Sequence, residues 1–188
     1  MGPGTPRFDA GRSCLDLLAT AHPEERIGTA GELAGWIVGA GLVPVGAPLQ
    51  GVDGCWAAGF RELRLHIDRL VRAGTYTPLD SLDRINRTVE AAAPPAIHAV
   101  PGEKGRLKRE LAEPPQCAAL LSLLARDTVD LLTDPLARAA VRECEADGCS
   151  LLYLDTSRGR RRRWCSSEVC GNRERVARHR RRVALARP

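Results

Sequence analysis

The sequence predicts a mainly α protein: a helical N-terminal domain, then a small β-hairpin module, then a C-terminal helix. Three observations carry this expectation. Apolar residues recur at helical spacing through most of residues 29–141, four cysteines form two matched pairs near the C-terminus, and arginines crowd the last quarter of the chain. With 188 residues and 44% hydrophobic side chains, the chain can bury one good core and a small appendage.

The opening run Phe8–Leu18 mixes short apolar and polar residues and suits either strand or helix. Thr29-Ala30-Gly31-Glu32 fits a capping box, in which hydroxyl and carboxylate each satisfy an orphan backbone N–H. Leu33, Trp36, Ile37 and Ala40 follow at helical spacing, and Gly41 and Pro44 end that helix. A longer helix is expected over Val52–Ala73, with Trp56, Phe60, Leu63, Ile67, Leu70 and Val71 on one face and Arg64 paired to Asp68 outside. Thr77-Pro78 opens another, with Leu79, Leu82, Ile85 and Val89 inward. Ile97–Val100 and Leu107–Leu111 read as a small hairpin around a Pro/Gly turn. Cys117–Leu132 is amphipathic through Leu120, Leu121, Leu124, Thr128 and Leu131. Asp134-Pro135 then caps a short helix that leads straight into the first cysteine pair.

Those pairs are Cys144–Cys149 and Cys165–Cys170, a C-x4-C-x15-C-x4-C pattern. Each pair can present two thiolates from a short knuckle, and two knuckles complete the closed tetrahedral shell of one structural Zn2+. Four thiolates leave no open position for water, which argues against catalytic zinc. No apolar leader interrupts the reading: Arg7, Asp9, Arg12 and Asp16 break the first twenty residues. A cytoplasmic location is therefore expected, where thiols stay reduced and paired cysteines favour metal over disulfide. Between the knuckles, Leu151–Leu154 suits one strand, Thr156–Arg160 a turn with Gly159 at positive φ, and Arg162–Trp164 the returning strand. Tyr153 and Trp164 would form a miniature core, Asp155 would hold an arginine, and metal would supply much of the module's folding free energy. After Cys170, Asn172 is expected to cap a helix over 173–185. Cys14, Cys55 and Cys117 read as small buried hydrophobes and His179 as a packed residue on the last helix's apolar face.

Charge is distributed unevenly. Residues 142–188 hold 13 Arg against six acids, whereas residues 1–141 hold 15 basic and 17 acidic side chains. Such density on a metal-ordered module points to nucleic acid. The candidate contacts are Arg158, Arg160, Arg161, Arg162, Arg173, Arg175, Arg178, Arg181 and Arg182, with Arg173, Arg175 and Arg178 nearest the helix start and best placed to read bases. Catalysis finds no footing. Gly39-Ala40-Gly41 lacks the third glycine of a dinucleotide fingerprint, no phosphate-binding lysine motif or G-x-S-x-G occurs, and the four His are scattered. An enzyme is not expected.

One stretch carries a specific resemblance. Cys144-x4-Cys149, Tyr153-Leu154-Asp155-Thr156-Ser157-Arg158, Arg163-Trp164-Cys165-Ser166, Cys170-Gly171-Asn172-Arg173 and His179-Arg180 resemble the CGNR zinc finger of bacterial stress-induced transcription regulators. Phe8, Gly11, Leu15-Asp16, Thr20 and Trp36 are similar to the ABATE domain that precedes this finger. The resemblance implies an ABATE-like helical domain over residues 1–140, for ligand sensing or dimerisation, and a zinc-dependent finger over residues 141–188 that binds double-stranded DNA. A homodimer would suit a palindromic site, and no membrane partner is expected. The alternative left open is a zinc-stabilised adaptor that binds RNA or an acidic protein and responds to thiol redox state.

Overall fold

The computed structural model describes residues 7–185, Leu185 by its backbone alone. Arg187, counted in the basic tail, lies outside the described residues. Seven helices are described: α1 (Ser13–Ala19), α2 (Ala30–Gly39), α3 (Gly54–Arg72), α4 (Leu79–Ala91), α5 (Cys117–Thr133), α6 (Pro135–Ala140) and α7 (Asn172–Leu185). Two antiparallel pairs complete the fold. Strands β1 (Ile97–Pro101) and β2 (Leu107–Leu111) form an exposed hairpin; β3 (Val141–Glu143) pairs with β4 (Leu152–Leu154).

Local chemistry sets most helix starts. The Thr29–Glu32 capping box forms with both of its reciprocal bonds. Asp53 accepts from Trp56 N at 2.9 Å to open α3, and Asp134 accepts from Leu136 N and Ala137 N to open α6. The Phe8–Leu18 run turns helical only at Ser13, and the cap of that helix comes from far along the chain. Asp127, on α5, accepts the Cys14 N–H at 2.8 Å and pairs with Arg12 at 2.9 Å. The end of α3 is satisfied the same way: Arg138 Nη2 donates to Leu70 O and Ala73 O, placing a cation at a helix C-terminus.

α3 runs through the middle of the helical layer, against α1, α2, α4 and α5. Trp36 is fully buried and stands edge-on to Phe60, with ring centroids 6.0 Å apart, and Leu15, Ile37, Ile67, Leu120 and Leu124 fill the space around them. Several details depart from the periodicity. Arg64 pairs with Glu25 and Asp68 with Arg72, because Arg64 faces the loop after α1 and leaves Asp68 to its own i+4 neighbour. Leu79 is exposed in the first turn of α4, where Ser81 goes inward and bonds His66 Nδ1 at 3.1 Å. Cys14 is buried and Cys117 half-buried, but Cys55 sits in the exposed first turn of α3.

The two parts are stitched by backbone. α6 ends at Ala140 and β3 begins at Val141, so the joint is a strand where helix was expected to continue to the knuckle. β3 pairs with β4 in the register Val141↔Leu154, Arg142↔Tyr153 and Glu143↔Leu152. Leu154 N donates to Ala10 O at 2.8 Å and Asp155 N to Ala140 O at 2.9 Å, which carries the ladder onto the N-terminal segment. Tyr153, Leu152 and Leu151 join the same buried cluster as Leu15 and Trp36. Gly11, at φ +88°, allows the close approach: a Cβ there would stand 3.2 Å from Leu154 Cβ.

Two predictions follow from this joint and the buried N-terminal acid. Gly11→Ala should destabilise the fold by about 1–2 kcal/mol through left-handed backbone strain alone, read as a lower Tm, with Gly41→Ala, which faces open space at φ +69°, giving the strain without the contact. Asp16 is buried and accepts Ala10 N at 3.0 Å; burial, outweighing that bond, pushes its carboxyl up to about 6. An acid raised in the folded state favours folding while protonated. Stability should thus fall on the order of 3 kcal/mol as pH rises from about 4 to about 6, and Asp16→Asn should flatten that slope in urea titrations across this range.

Candidate metal centre

The sulfurs of Cys144, Cys149, Cys165 and Cys170 all lie within 4.8 Å of one another. Cys149 Sγ and Cys165 Sγ are 3.8 Å apart, and Cys165 Sγ and Cys170 Sγ 3.6 Å. A disulfide needs about 2.05 Å, so these are not disulfides. A tetrahedron with Zn–S bonds near 2.3 Å has edges of about 3.8 Å, which matches both separations. The donor set and its spacing fit one structural zinc ion.

Each knuckle is built by local backbone. In the first, Cys149 N donates to Ala146 O and Gly148 adopts φ +68° to close the loop. In the second, Ser166 Oγ accepts from Val169 N and Gly171 N donates to Ser166 O, winding Ser167–Gly171 into a turn of π-helix. That turn runs directly into α7, so Asn172 is already helical and caps nothing. Cys170 lies in this turn, its sulfur 3.6 Å from that of Cys165.

Cys144, Cys165 and Cys170 are buried, and Cys149 is half-buried. Buried sulfur charge needs donors. Cys165 N donates to Cys144 Sγ at 3.4 Å, and Arg173 Nη2 stands 4.0 Å from Cys170 Sγ. Arg7 brings a further cation from the N-terminal segment: burial works against its charge, and Asp9 together with Cys165 more than offsets that. The Cys149 thiol is pulled down to about 5, chiefly by its hydrogen bond with Cys165. That same bond, followed by burial, raises Cys165.

The segment between the knuckles differs from the expected hairpin. Residues 162–164 form no strand; β4 pairs instead with β3, and the return is held by Glu145 N donating to Arg163 O. Arg160, not Gly159, takes the left-handed conformation, at φ 46°. Asp155 accepts from Ser157 N, Ser157 Oγ and the Arg162 backbone N–H, so it holds Arg162 by the main chain and by charge attraction, without a guanidinium hydrogen bond. Tyr153 is fully buried and donates to Arg162 O, while Trp164 is half-buried.

The nine candidate arginines separate into two groups. Arg162 folds inward: its guanidinium lies 4.7 Å above the Tyr153 ring and donates to Trp164 O and Cys165 O. Arg173 donates to Asp147 O at 2.7 Å, and Arg175 to Gly171 O and Ser167 O. Arg181 makes an exposed pair with Asp147. The side chains of Arg158, Arg160, Arg161, Arg178 and Arg182 are exposed and have no hydrogen-bond or ion-pair partner among the described residues. Asp147 is the residue that charge counting overlooked. It receives Arg173 and Arg181 and donates its N–H to Glu174, docking the first knuckle on α7. The available signal was an acid inside C-x4-C opposite an arginine-rich helix. His179, Val176 and Val183 are exposed, so the expected apolar face of α7 packs on nothing among the described residues.

No described helix is long and apolar enough to cross a membrane. A search of curated proteins finds no match to this chain. Residues 11–135 match the ABATE family, described as "Putative stress-induced transcription regulator", and residues 140–183 match the CGNR zinc finger. The first match begins at the glycine that admits Leu154, and the second spans all four clustered cysteines. With two thirds of its length inside the first and most of the remainder inside the second, the chain belongs to the ABATE family and carries a CGNR zinc finger.

Proposed function

We propose that this chain is a DNA-binding transcription regulator in which one zinc ion, held by Cys144, Cys149, Cys165 and Cys170, shapes an arginine surface that grips the phosphate backbone. The boundary at 140/141 separates an N-terminal regulatory unit from the DNA-reading one. The observation that carries the reading is the division of labour among the arginines. Arg162, Arg173 and Arg175 are used internally to brace the sulfur cluster, whereas Arg158, Arg160, Arg161, Arg178 and Arg182 stand exposed around it. A module that needed positive charge only for its own stability would not leave five guanidiniums unpaired. α7 extends 14 residues, or roughly 21 Å at 1.5 Å per residue, long enough to follow a groove.

The metal supplies cross-linking of two knuckles and neutralisation of thiolate charge. The chain's own residues do the rest: Arg162 pins the return segment under Tyr153, Asp147 ties knuckle to helix, and the exposed arginines meet phosphates. Both matched families are regulatory or zinc-finger in kind, and a closed shell of four sulfurs offers no place for substrate.

Purified protein should hold one zinc per chain by atomic absorption, and Cys144→Ser or Cys170→Ser should abolish stoichiometric metal and unfold residues 141–185 in amide exchange. Retention of zinc by both variants would remove these ligands from the assignment. Binding to duplex oligonucleotides should weaken with a log–log salt slope of about −5, for five to six neutralised phosphates. Arg178→Ala and Arg182→Ala should each flatten it by about one. Arg162→Ala should instead lower thermal stability and zinc retention. A slope near zero, or stronger binding to single-stranded RNA than to any duplex, would favour the adaptor reading over DNA.

A further inference from the structure

A cavity of about 640 Å3 opens between the helical layer and the first knuckle, lined by Leu18 of α1, by Ala21 and His22 after it, by Arg61, Arg64, Leu65, Asp68 and Arg72 of α3, and by Ser150. Its volume falls within the range of small-molecule sites, and its wall mixes apolar surface with a few polar groups, as such sites do. Leu65 is the telling residue: it sits mid-helix, half exposed, in a ring of guanidiniums.

The three arginines are not equivalent. Arg64 is held by both oxygens of Glu25 and by Thr20 Oγ1. Arg72 is held by Asp68, Glu143 and the carbonyl of Ser150. Arg61 makes one long bond to Gly28 O at 3.3 Å and has no ion pair among the described residues. The free positive charge of the cavity therefore resides on Arg61, beside an apolar floor of Leu18, Ala21 and Leu65. His22 adds a ring nitrogen that meets Ser150 Oγ at 3.3 Å across the rim.

We propose that this cavity binds a small organic monoanion, a carboxylate with an apolar aromatic or aliphatic body, whose carboxylate takes Arg61 and whose body covers Leu65 and Leu18. A dianion or bare phosphate suits it less, because Arg64 and Arg72 already have their counter-charges and no apolar group would cover Leu65. A neutral apolar molecule would leave Arg61 beside it without a partner. The proposal does not depend on DNA binding.

The test is calorimetric titration of the full, zinc-loaded chain with benzoate and octanoate, beside benzamide, a body without charge, and inorganic phosphate, a charge without an apolar body. At least one carboxylate should bind with Kd of about 1 mM or tighter, tenfold or more above benzamide and phosphate. Arg61→Gln and Leu65→Gln should each weaken it at least tenfold, with thermal melting and zinc content unchanged because Leu65 is exposed, Arg61 is half-buried with a single long hydrogen bond, and neither belongs to the core. Chemical-shift changes should map to His22, Arg61, Leu65 and Ser150. Failure of both carboxylates to bind, equal affinity for benzamide, or unaltered affinity in Arg61→Gln overturns it.

Discussion

Four sulfurs held within 4.8 Å impose the constraint from which the C-terminal quarter takes its form. Thiolates about 4 Å apart repel by roughly 4 kcal/mol per pair at an effective dielectric near 20, and four of them make six pairs. Backbone N–H groups and two nearby arginines do not neutralise four such charges. A divalent cation can, and it also replaces the apolar core that a segment of about forty residues is too small to build. The surrounding details serve the same end. The Cys165 N–H, Arg173 and Arg7 bring positive potential to the buried sulfurs, and Asp147 returns negative charge at the rim so that α7 is held in place.

The arginines of this module thus answer to two demands, and sequence position does not separate them. Arg160, Arg161, Arg162 and Arg163 are consecutive, yet Arg162 lies over Tyr153, Arg163 stacks on Trp164 and pairs with Glu145, and the first two are solvent-facing without partners. Arg160 takes the left-handed conformation at the turn, and of the four only Arg162 reaches the buried tyrosine. Substituting a lysine at Arg162 would not be conservative, since only a planar guanidinium can lie over the ring and fork to two carbonyls.

Much of this was legible from local pattern. The capping box at Thr29, the caps at Asp53 and Asp134, the hairpin at 97–111 and the paired cysteines all express chemistry within a few residues of one another. What escaped was chemistry acting across the fold. The cap of α1 comes from Asp127, over a hundred residues away, and β4 chooses β3 and not the segment after its own turn. Arg64 finds Glu25 because the loop after α1 passes it, which no helical i+4 rule anticipates. The apolar stripe of α7 was real as a pattern and misleading as a packing statement. Periodicity identifies a face, and only the rest of the molecule decides whether anything covers it.

The bond from Leu154 to Ala10 and its neighbour from Asp155 to Ala140 bear on how such proteins can be recombined. The small sheet takes one of its borders from a segment near the start of the chain, so the finger is not a self-contained cassette. A graft cut at residue 140 would leave the outer edge of β4 bare, an open strand prone to pair with a neighbouring molecule. Chimaeras that swap the C-terminal part should therefore carry the 8–12 segment along with it, and shuffling in nature would have met the same obstacle.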